Sequence, residues 1–205
     1  MPEMIQSVPH PSDEPKRMKL TREMCRFLEE GGLLSERYEL IEGDIISKMG
    51  SNRPHARVII LISIWLQSIF GGRFVELQNS VDVPEPDFST SEPEPDIVVT
   101  SEDLVLMEDA PNPTNVLLLV EVSDSTLNSD KTRKAALYAR AGFVEYWIAD
   151  VNARQIIVHR EPTATGYQDI KVYASGETVS LLARPDLSHL VEGFFPEINE
   201  NNPQN

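Results

Sequence analysis

Residues 96–99 read Asp-Ile-Val-Val, and residues 116–122 read Val-Leu-Leu-Leu-Val-Glu-Val. Neither run alternates between apolar and polar residues, which is typical of strands that are covered on both faces of a sheet. Each run carries one acid, Asp96 at the beginning of the first and Glu121 near the end of the second. These runs predict central strands of a β-sheet, each with a carboxylate at one end.

Helix and strand signals alternate on both sides of these runs. A helix is predicted over residues 129–141, where Gly142 ends it, and residues 145–150 form a further apolar strand. Upstream, a helix over residues 54–70 has a proline in its first turn and is apolar over most of its circumference, so we expect it to be largely buried. The order of the elements predicts an α/β fold with a mixed central sheet.

The two ends of the chain differ in composition from the middle. Residues 1–19 contain four prolines and little apolar periodicity, and residues 199–205 are polar, so we expect a disordered arm and a disordered tail. Residues 20–198 are then expected to form one domain.

Weaker signals predict further elements within this domain: a short helix capped by Thr21, a hairpin over 38–47, strands over 74–78 and 80–83, a Pro/Glu/Asp-rich loop over 84–95, and outer strands over 155–159 and 168–173.

The charge balance limits the classes of function. The 205 residues include 18 Lys and Arg against 33 Asp and Glu, which gives a net charge of -15 at pH 7. Because phosphate contacts from Lys and Arg dominate nucleic-acid affinity, this balance argues against a protein that coats DNA or reads its sequence. It does not exclude an enzyme that meets a phosphodiester at one local site through a metal ion.

The cysteine count and the apolar runs indicate a compartment. Cys25 is the only cysteine, which excludes an internal disulfide and a cysteine-cluster zinc site. The longest apolar run, over residues 58–66, is too short to span a bilayer, and the first residues lack the basic and then apolar pattern of a signal peptide. We therefore expect a cytoplasmic protein with no membrane partner.

The two acids suggest a metal site. If their strands are neighbours of opposite direction, Asp96 and Glu121 lie at the same edge of the sheet. Two carboxylates side by side suit Mg²⁺ or Mn²⁺, with water and a substrate phosphate as the remaining ligands. A lysine of the following helix, Lys131 or Lys134, can reach over the strand end. The alternatives are that Asp96 is a turn residue and that Lys134 forms an exposed ion pair with Asp130.

A series of short motifs follows along the chain: the segment 38–44, His55 on a helix, Pro95-Asp96, Glu121-Val122-Ser123, then Asp130, Lys134, Tyr138, Gly142 and the segment 145–150. In this order and spacing they resemble the Uma2 family of endonucleases, which belongs to the PD-(D/E)XK superfamily. The resemblance covers about residues 20–195. Each motif is weak by itself, and the specificity lies in their combination.

The resemblance implies both a fold and an activity. The implied fold is restriction-endonuclease-like, with a mixed central β-sheet flanked by α-helices. The implied activity is Mg²⁺-dependent hydrolysis of phosphodiester bonds in nucleic acid, with DNA as the expected substrate and Mn²⁺ as the alternative ion. Nucleases that cut duplexes often need two copies of a one-site domain, so a homodimer is also expected.

Five positions of this chain match the family's functional residues. Asp96 and Glu121 match the acids of the two half-motifs and are the expected metal ligands. Lys134 matches the lysine that the family carries on the following helix. Glu39 and His55 match an upstream glutamate and a histidine near a helix start, and they complete the expected catalytic set.

Several alternatives stay open at these positions. Glu39 is either a ligand of metal or water, or a strand glutamate paired with a Lys or Arg. His55 lies near a helix N-terminus, which favours a neutral ring; the ring then donates to a carboxylate or orients a water, or it is a packed structural residue. Asp124 replaces the proline that often follows the serine in the family, either as a third metal ligand or as a group that repels phosphate.

Two other functions also stay open. The net charge and Asp124 are compatible with a catalytically silent nuclease-fold module that binds or assembles with a partner. The acidic surface is also compatible with a hydrolase of small phosphate esters.

Overall fold

The computed structural model describes residues 18–34, 37–48 and 52–197. Its helices are α1 (Arg22–Glu30), α2 (Arg53–Phe70), α3 (Leu127–Ser129) and α4 (Ala135–Ala141), and a π turn over Asp130–Lys134 joins α3 to α4. Its strands are β1 (Tyr38–Ile41), β2 (Asp44–Ser47), β3 (Val75–Leu77), β4 (Ile97–Thr100), β5 (Val116–Ser123), β6 (Glu145–Asp150), β7 (Gln155–Thr163), β8 (Gly166–Tyr173), β9 (Thr178–Ser180) and β10 (Ser188–Leu190).

The central sheet has six strands in the order β3-β4-β5-β6-β7-β8. Among these strands only β5 and β6 are parallel, and every other neighbouring pair is antiparallel. The strands β4 and β5 are buried along nearly their whole length, as expected for strands covered on both faces. The prediction of a mixed central sheet flanked by helices is therefore confirmed.

The parallel pair determines the path of the chain beside the acids. A chain that leaves β5 and enters β6 in the same direction needs a crossover, which here consists of α3, the π turn and α4. The crossover ends at Gly142, as predicted; its φ of 95° is left-handed, and its N–H donates to the carbonyl of Ala139 at 3.0 Å. The helix begins at Leu127, earlier than predicted, and the π turn has no marker in the sequence.

Helices cover both faces of the sheet. One face of α2 packs on the sheet through fully buried side chains that include Val58 and Ile62. On the opposite face of the sheet, Leu137 of α4 is equally buried. The expectation that α2 is largely buried is wrong for one side of the helix, because the sheet covers only the other side: Ile60 and Ile64 are 53% and 60% exposed.

The hairpin of β1 and β2 lies outside the central sheet and is held against the crossover. The backbone of Leu40 pairs with that of Glu92, which attaches the hairpin to the loop before β4. Glu42, in the hairpin turn, accepts hydrogen bonds from Arg133 at 3.0 Å and from Arg140 at 2.7 Å. These contacts keep β1 close to the helical crossover.

Some predicted elements are absent or lie outside the described residues. The prediction of a strand over 80–83 is wrong. The backbone amides of this segment donate to two separate loops: Val81 donates to the carbonyl of Pro93 and Asp82 to that of Pro111. The expected arm and tail lie outside the described ranges, apart from residues 18 and 19. In the part of the chain that is described, no helix has both the length and the apolarity needed to cross a membrane.

Candidate active site

The register of β4 and β5 brings the two predicted acids together. These strands are antiparallel neighbours, and Ile97 pairs with Val120, so Asp96 and Glu121 occupy the next cross-strand position. The backbone N–H of Val122 donates to Oδ2 of Asp96 at 2.8 Å. Both acids are buried, with 5% and 4% of their surface exposed. The assumption made from the sequence, that the strands of Asp96 and Glu121 are antiparallel neighbours, is therefore confirmed.

Lys134 lies between two of the predicted carboxylates. Its Nζ is 2.8 Å from Oε1 of Glu121 and 2.9 Å from Oε1 of Glu39. Burial lowers the pKa of the Lys134 ammonium, but the charges of Glu121, Glu39 and Asp130 outweigh burial and hold the pKa above its usual range. Lys134 is therefore a buried cation. The alternative considered from the sequence, an exposed ion pair between Lys134 and Asp130, is wrong because Lys134 is buried and pairs with Glu39 and Glu121.

The structure distinguishes the two candidate lysines. Lys131 is exposed, and its charge acts on His159, whose pKa is lowered first by burial and also by this lysine. The charge of Lys131 therefore affects the pKa of His159 in β7, whereas Lys134 contacts Glu39 and Glu121. Of the two, Lys134 is the lysine beside Glu121.

Glu39 reaches this cluster from the neighbouring hairpin. It lies in β1 and is buried, and its Oε2 accepts a hydrogen bond from the backbone N–H of Glu94 at 3.3 Å. Its other oxygen contacts Lys134. Of the two alternatives for Glu39, the observed contact is the pairing with a lysine.

Three hydrogen bonds of the site were not predicted from the sequence. Tyr138 donates its hydroxyl proton to Oε1 of Glu121 at 3.0 Å, and its position one turn after Lys134 was the signal that could have identified it. Asp130 accepts hydrogen bonds from the hydroxyls of Ser123 and Thr126, both at 2.6 Å. These contacts fix the start of the crossover over the end of β5.

The environment of Glu121 shifts the pKa of its carboxyl upwards. Burial raises its pKa, Lys134 lowers it, and the charges of Asp130, Asp96 and Glu39 raise it again, to about 8. Both described hydrogen bonds to this carboxyl end on Oε1. Glu121 is thus a buried acid whose charge depends on which cations are near it.

The pKa of the Asp96 carboxyl is shifted in the opposite direction. Burial raises its pKa, but the hydrogen bond and charge of His55, the N–H of Val122 and the charge of Lys48 outweigh burial, so the pKa lies below its usual range. Asp96 is therefore ionised at neutral pH. Two carboxyls with opposite pKa shifts at one sheet edge are typical of active sites.

His55 contacts Asp96. It lies in the first turn of α2, and its Nε2 is 3.4 Å from Oδ2 of Asp96. Burial lowers the pKa of the His55 ring, but Asp96 and the more distant charge of Asp124 raise it above its usual value, contrary to the expected effect of the helix N-terminus. Its Nδ1 is buried and has no hydrogen-bond partner among the described residues.

Asp124 braces the start of α2. Its carboxylate accepts hydrogen bonds from the side-chain amides of Asn52 and Asn152, and the latter lies in the turn between β6 and β7. Asn52 in turn caps α2, because its Oδ1 accepts from the backbone N–H of His55 at 3.0 Å. Each carboxylate oxygen of Asp124 is therefore engaged by an amide, and the chain Asp124–Asn52–His55 ends at the backbone N–H of His55, the residue whose ring lies beside Asp96.

We expect Asp124→Ala to loosen this turn without unfolding the protein. The loss of its two amide contacts should cost roughly 0.5–1.5 kcal/mol per hydrogen bond and should accelerate amide hydrogen exchange at His55. Exchange followed by NMR measures the effect. Asp186→Ala is the control, because Asp186 is exposed and its described side-chain partner is Arg184 alone. Unchanged exchange at His55 in Asp124→Ala would contradict the bracing role.

These side chains surround a cleft of about 350 Å³. All five predicted site residues line it. The other lining residues are Arg37, Ile46, Ser47, Lys48, Asn52, Gln78, Val122, Asp124, Ser125, Thr126 and Asp130. A second hollow of about 420 Å³, between α1 and the hairpin, contains none of the predicted site residues.

The donors in the cleft fit a hard divalent cation that keeps much of its water. Among the described residues no group of three or more His, Cys, Asp or Glu side chains is arranged to enclose a metal ion. Mg²⁺, however, is usually bound through one or two carboxylates, with water and substrate phosphate as its other ligands. The carboxyl groups of Asp96 and Glu121, which occupy paired cross-strand positions and line the same cleft, meet that requirement.

The mixed sheet, with its acids and buried lysine at one edge, has the architecture of a nuclease fold. A crystal structure of a protein described as a "putative nuclease belonging to DUF820", from Anabaena variabilis, is similar with a TM-score of 0.61, covering 82% of this chain and 96% of that one. The two chains are 19% identical, so this likeness concerns the fold.

The family follows from the sequence match. The model of the Uma2 family, described as "Putative restriction endonuclease", matches residues 29–192, and the chain belongs to this family. The resemblance inferred from the motif order is thereby confirmed. No curated protein matches the chain.

Proposed function

We propose that the protein is an endonuclease that hydrolyses phosphodiester bonds of nucleic acid, with DNA as its substrate, and that it depends on Mg²⁺ or Mn²⁺ held by Asp96 and Glu121. The observation that carries this proposal is the buried Lys134 ammonium 2.8 Å from Glu121, at the sheet edge where Asp96 also lies. Two carboxylates that can hold a divalent cation and one fixed ammonium beside them are groups that metal-dependent phosphodiester hydrolysis uses.

Each residue has a distinct part in this proposal. A bound divalent cation supplies an activated water and neutralises charge on the phosphoryl oxygens. Lys134, held by Glu39 and Glu121, presents its ammonium to the negative charge that develops on the phosphate. His55 orients Asp96 through the contact between its Nε2 and Oδ2 of Asp96. Glu39 thus acts by positioning Lys134.

The activity is tested by incubating the protein with duplex DNA, single-stranded DNA, RNA and bis(4-nitrophenyl) phosphate, each with Mg²⁺, Mn²⁺ or EDTA. We expect cleavage of nucleic acid that depends on the cation and stops with EDTA. Cleavage of the small diester alone would favour the hydrolase of small phosphate esters. No cleavage of any substrate would favour the catalytically silent module.

The affinity for the cation is expected to rise with pH. A carboxyl whose pKa is raised in the folded protein holds its proton more tightly there, so the stability it contributes is full below its ordinary pKa of 4.5 and is lost as the pH approaches about 8. A cation must displace that proton from Glu121. Calorimetric titration with Mn²⁺ should therefore give a higher affinity at about pH 8 than at about pH 6, with proton release. An affinity independent of pH would contradict this linkage.

The remaining expectations concern the state of the protein in the cell. We propose a cytoplasmic homodimer, since nucleases that cut both strands of a duplex often need two copies of a one-site domain. Sedimentation equilibrium of the full chain measures the oligomeric state, and a monomer at micromolar concentration would contradict this part of the proposal.

A further inference from the structure

Two cations lie side by side at the open end of the β1–β2 hairpin. Arg37 directly precedes β1 and Lys48 directly follows β2, and the backbone N–H of Lys48 donates to the carbonyl of Arg37 at 2.8 Å. Both side chains line the cleft that contains Asp96 and Glu121. We call Arg37 and Lys48 the hairpin pair.

One carboxylate serves both members of the hairpin pair. Oε2 of Glu94 is 3.0 Å from Nη2 of Arg37 and 3.4 Å from Nζ of Lys48. The three side chains therefore carry a net charge of one positive unit. The described hydrogen bonds of the Arg37 guanidinium all use Nη2, which leaves its Nε–H and Nη1 without a partner among the described residues. Its side chain is 57% exposed.

The rest of the cleft lining is strongly acidic. Besides the hairpin pair, Lys134 is the only lysine or arginine among the described residues of the lining, and it is enclosed by carboxylates. The acidic lining residues are Glu39, Asp96, Glu121, Asp124 and Asp130. A polyanion that enters this cleft therefore finds positive charge at the hairpin pair, where the Arg37 side chain is 57% and the Lys48 side chain 19% exposed.

We infer that the hairpin pair binds a second phosphate of the substrate, one that flanks the phosphate at Asp96 and Glu121. Arg37 offers a planar fork that matches two phosphate oxygens, and Lys48 adds a point charge beside it. Without substrate, Glu94 holds both side chains in place. When the phosphate binds, both side chains leave Glu94 and contact the phosphate. The substrate class is then a chain of linked phosphates, an oligonucleotide, in preference to an isolated diester. This inference rests on the proposed function.

Binding is measured without catalysis, from the fluorescence anisotropy of a short labelled duplex oligonucleotide in EDTA over a range of salt concentrations. Arg37→Gln and Lys48→Gln are each expected to weaken binding roughly tenfold and to lower the salt slope by about one unit. Glu94→Gln is expected to strengthen binding, since it removes the competing carboxylate. Arg73→Gln is the matched control: Arg73 is also 57% exposed and paired with an aspartate, but it is not among the cleft-lining residues.

Several outcomes would overturn the inference. Equal affinities of wild type, Arg37→Gln and Lys48→Gln would do so, and so would a wild type that does not bind the oligonucleotide. Where the wild type is active, Arg37→Gln should lose more activity on the oligonucleotide than on bis(4-nitrophenyl) phosphate, and equal losses would place Arg37 at the reacting phosphate instead. If the wild type hydrolyses neither substrate, the proposed function fails, whereas the anisotropy still decides whether the hairpin pair binds phosphate.

Discussion

Replacing Lys134 with alanine is expected to lower the free energy of unfolding by about 3–5 kcal/mol and to abolish phosphodiester hydrolysis. The substitution removes the cation between Glu39 and Glu121 and leaves two buried carboxylates without a counter-charge. Because these carboxylates can be protonated instead, the loss of stability should become smaller as the pH falls. Urea unfolding at neutral and acidic pH measures both effects.

Lys131→Ala is the matched control for this experiment. Lys131 lies in the same π turn but is exposed, so its loss should change stability by no more than about 0.5 kcal/mol. Equal effects of the two substitutions would contradict the assignment of Lys134. Lys134→Ala should also keep the binding of Mn²⁺, since Lys134 supplies no ligand to the cation.

Replacing Asp96 with asparagine is expected to lower hydrolysis by at least about 10²-fold while the fold is retained. Asparagine has nearly the same size and keeps an oxygen that can accept from the N–H of Val122, but it lacks the negative charge that a hard cation requires. Rates of cleavage under saturating Mn²⁺ measure the loss. Circular dichroism and urea unfolding check that the fold is unchanged.

Asp169→Asn is the control for the charge itself. Asp169 lies on β8 and pairs with Lys171 at 3.8 Å, and it is not a cleft residue, so its loss should leave cleavage unchanged. Full activity in Asp96→Asn would remove Asp96 from the metal site. In that case Asp96 would serve structure alone.

The centre of the fold was predictable because its signals are local. A strand covered on both faces must be apolar at successive positions, and residues 96–99 and 116–122 meet that condition directly. The end of the crossover was predictable for a similar reason, since glycine adopts the left-handed conformation that Gly142 has. The shared edge of Asp96 and Glu121 followed once the two strands were taken to be antiparallel neighbours.

The rest of the site depends on contacts between distant segments. Nothing near Lys134 in the sequence indicates that Glu39, from the β1–β2 hairpin, lies 2.9 Å from its ammonium. The partners of Asp124 are likewise remote, one before α2 and one after β6. The exposed side of α2 could not be predicted either, because helical periodicity does not reveal which layers cover a helix.

Thermal unfolding with and without Mn²⁺, for the wild type and Asp96→Asn, tests the central claim most directly. A ligand that binds only the folded protein stabilises it by about 2.7 kcal/mol at a concentration of about 100 times its Kd, and for a chain of this length that raises Tm by roughly 5–10 °C. We predict such an increase for the wild type and none for Asp96→Asn. An unchanged Tm in the wild type, or equal increases in both proteins, would contradict a cation site at Asp96 and Glu121.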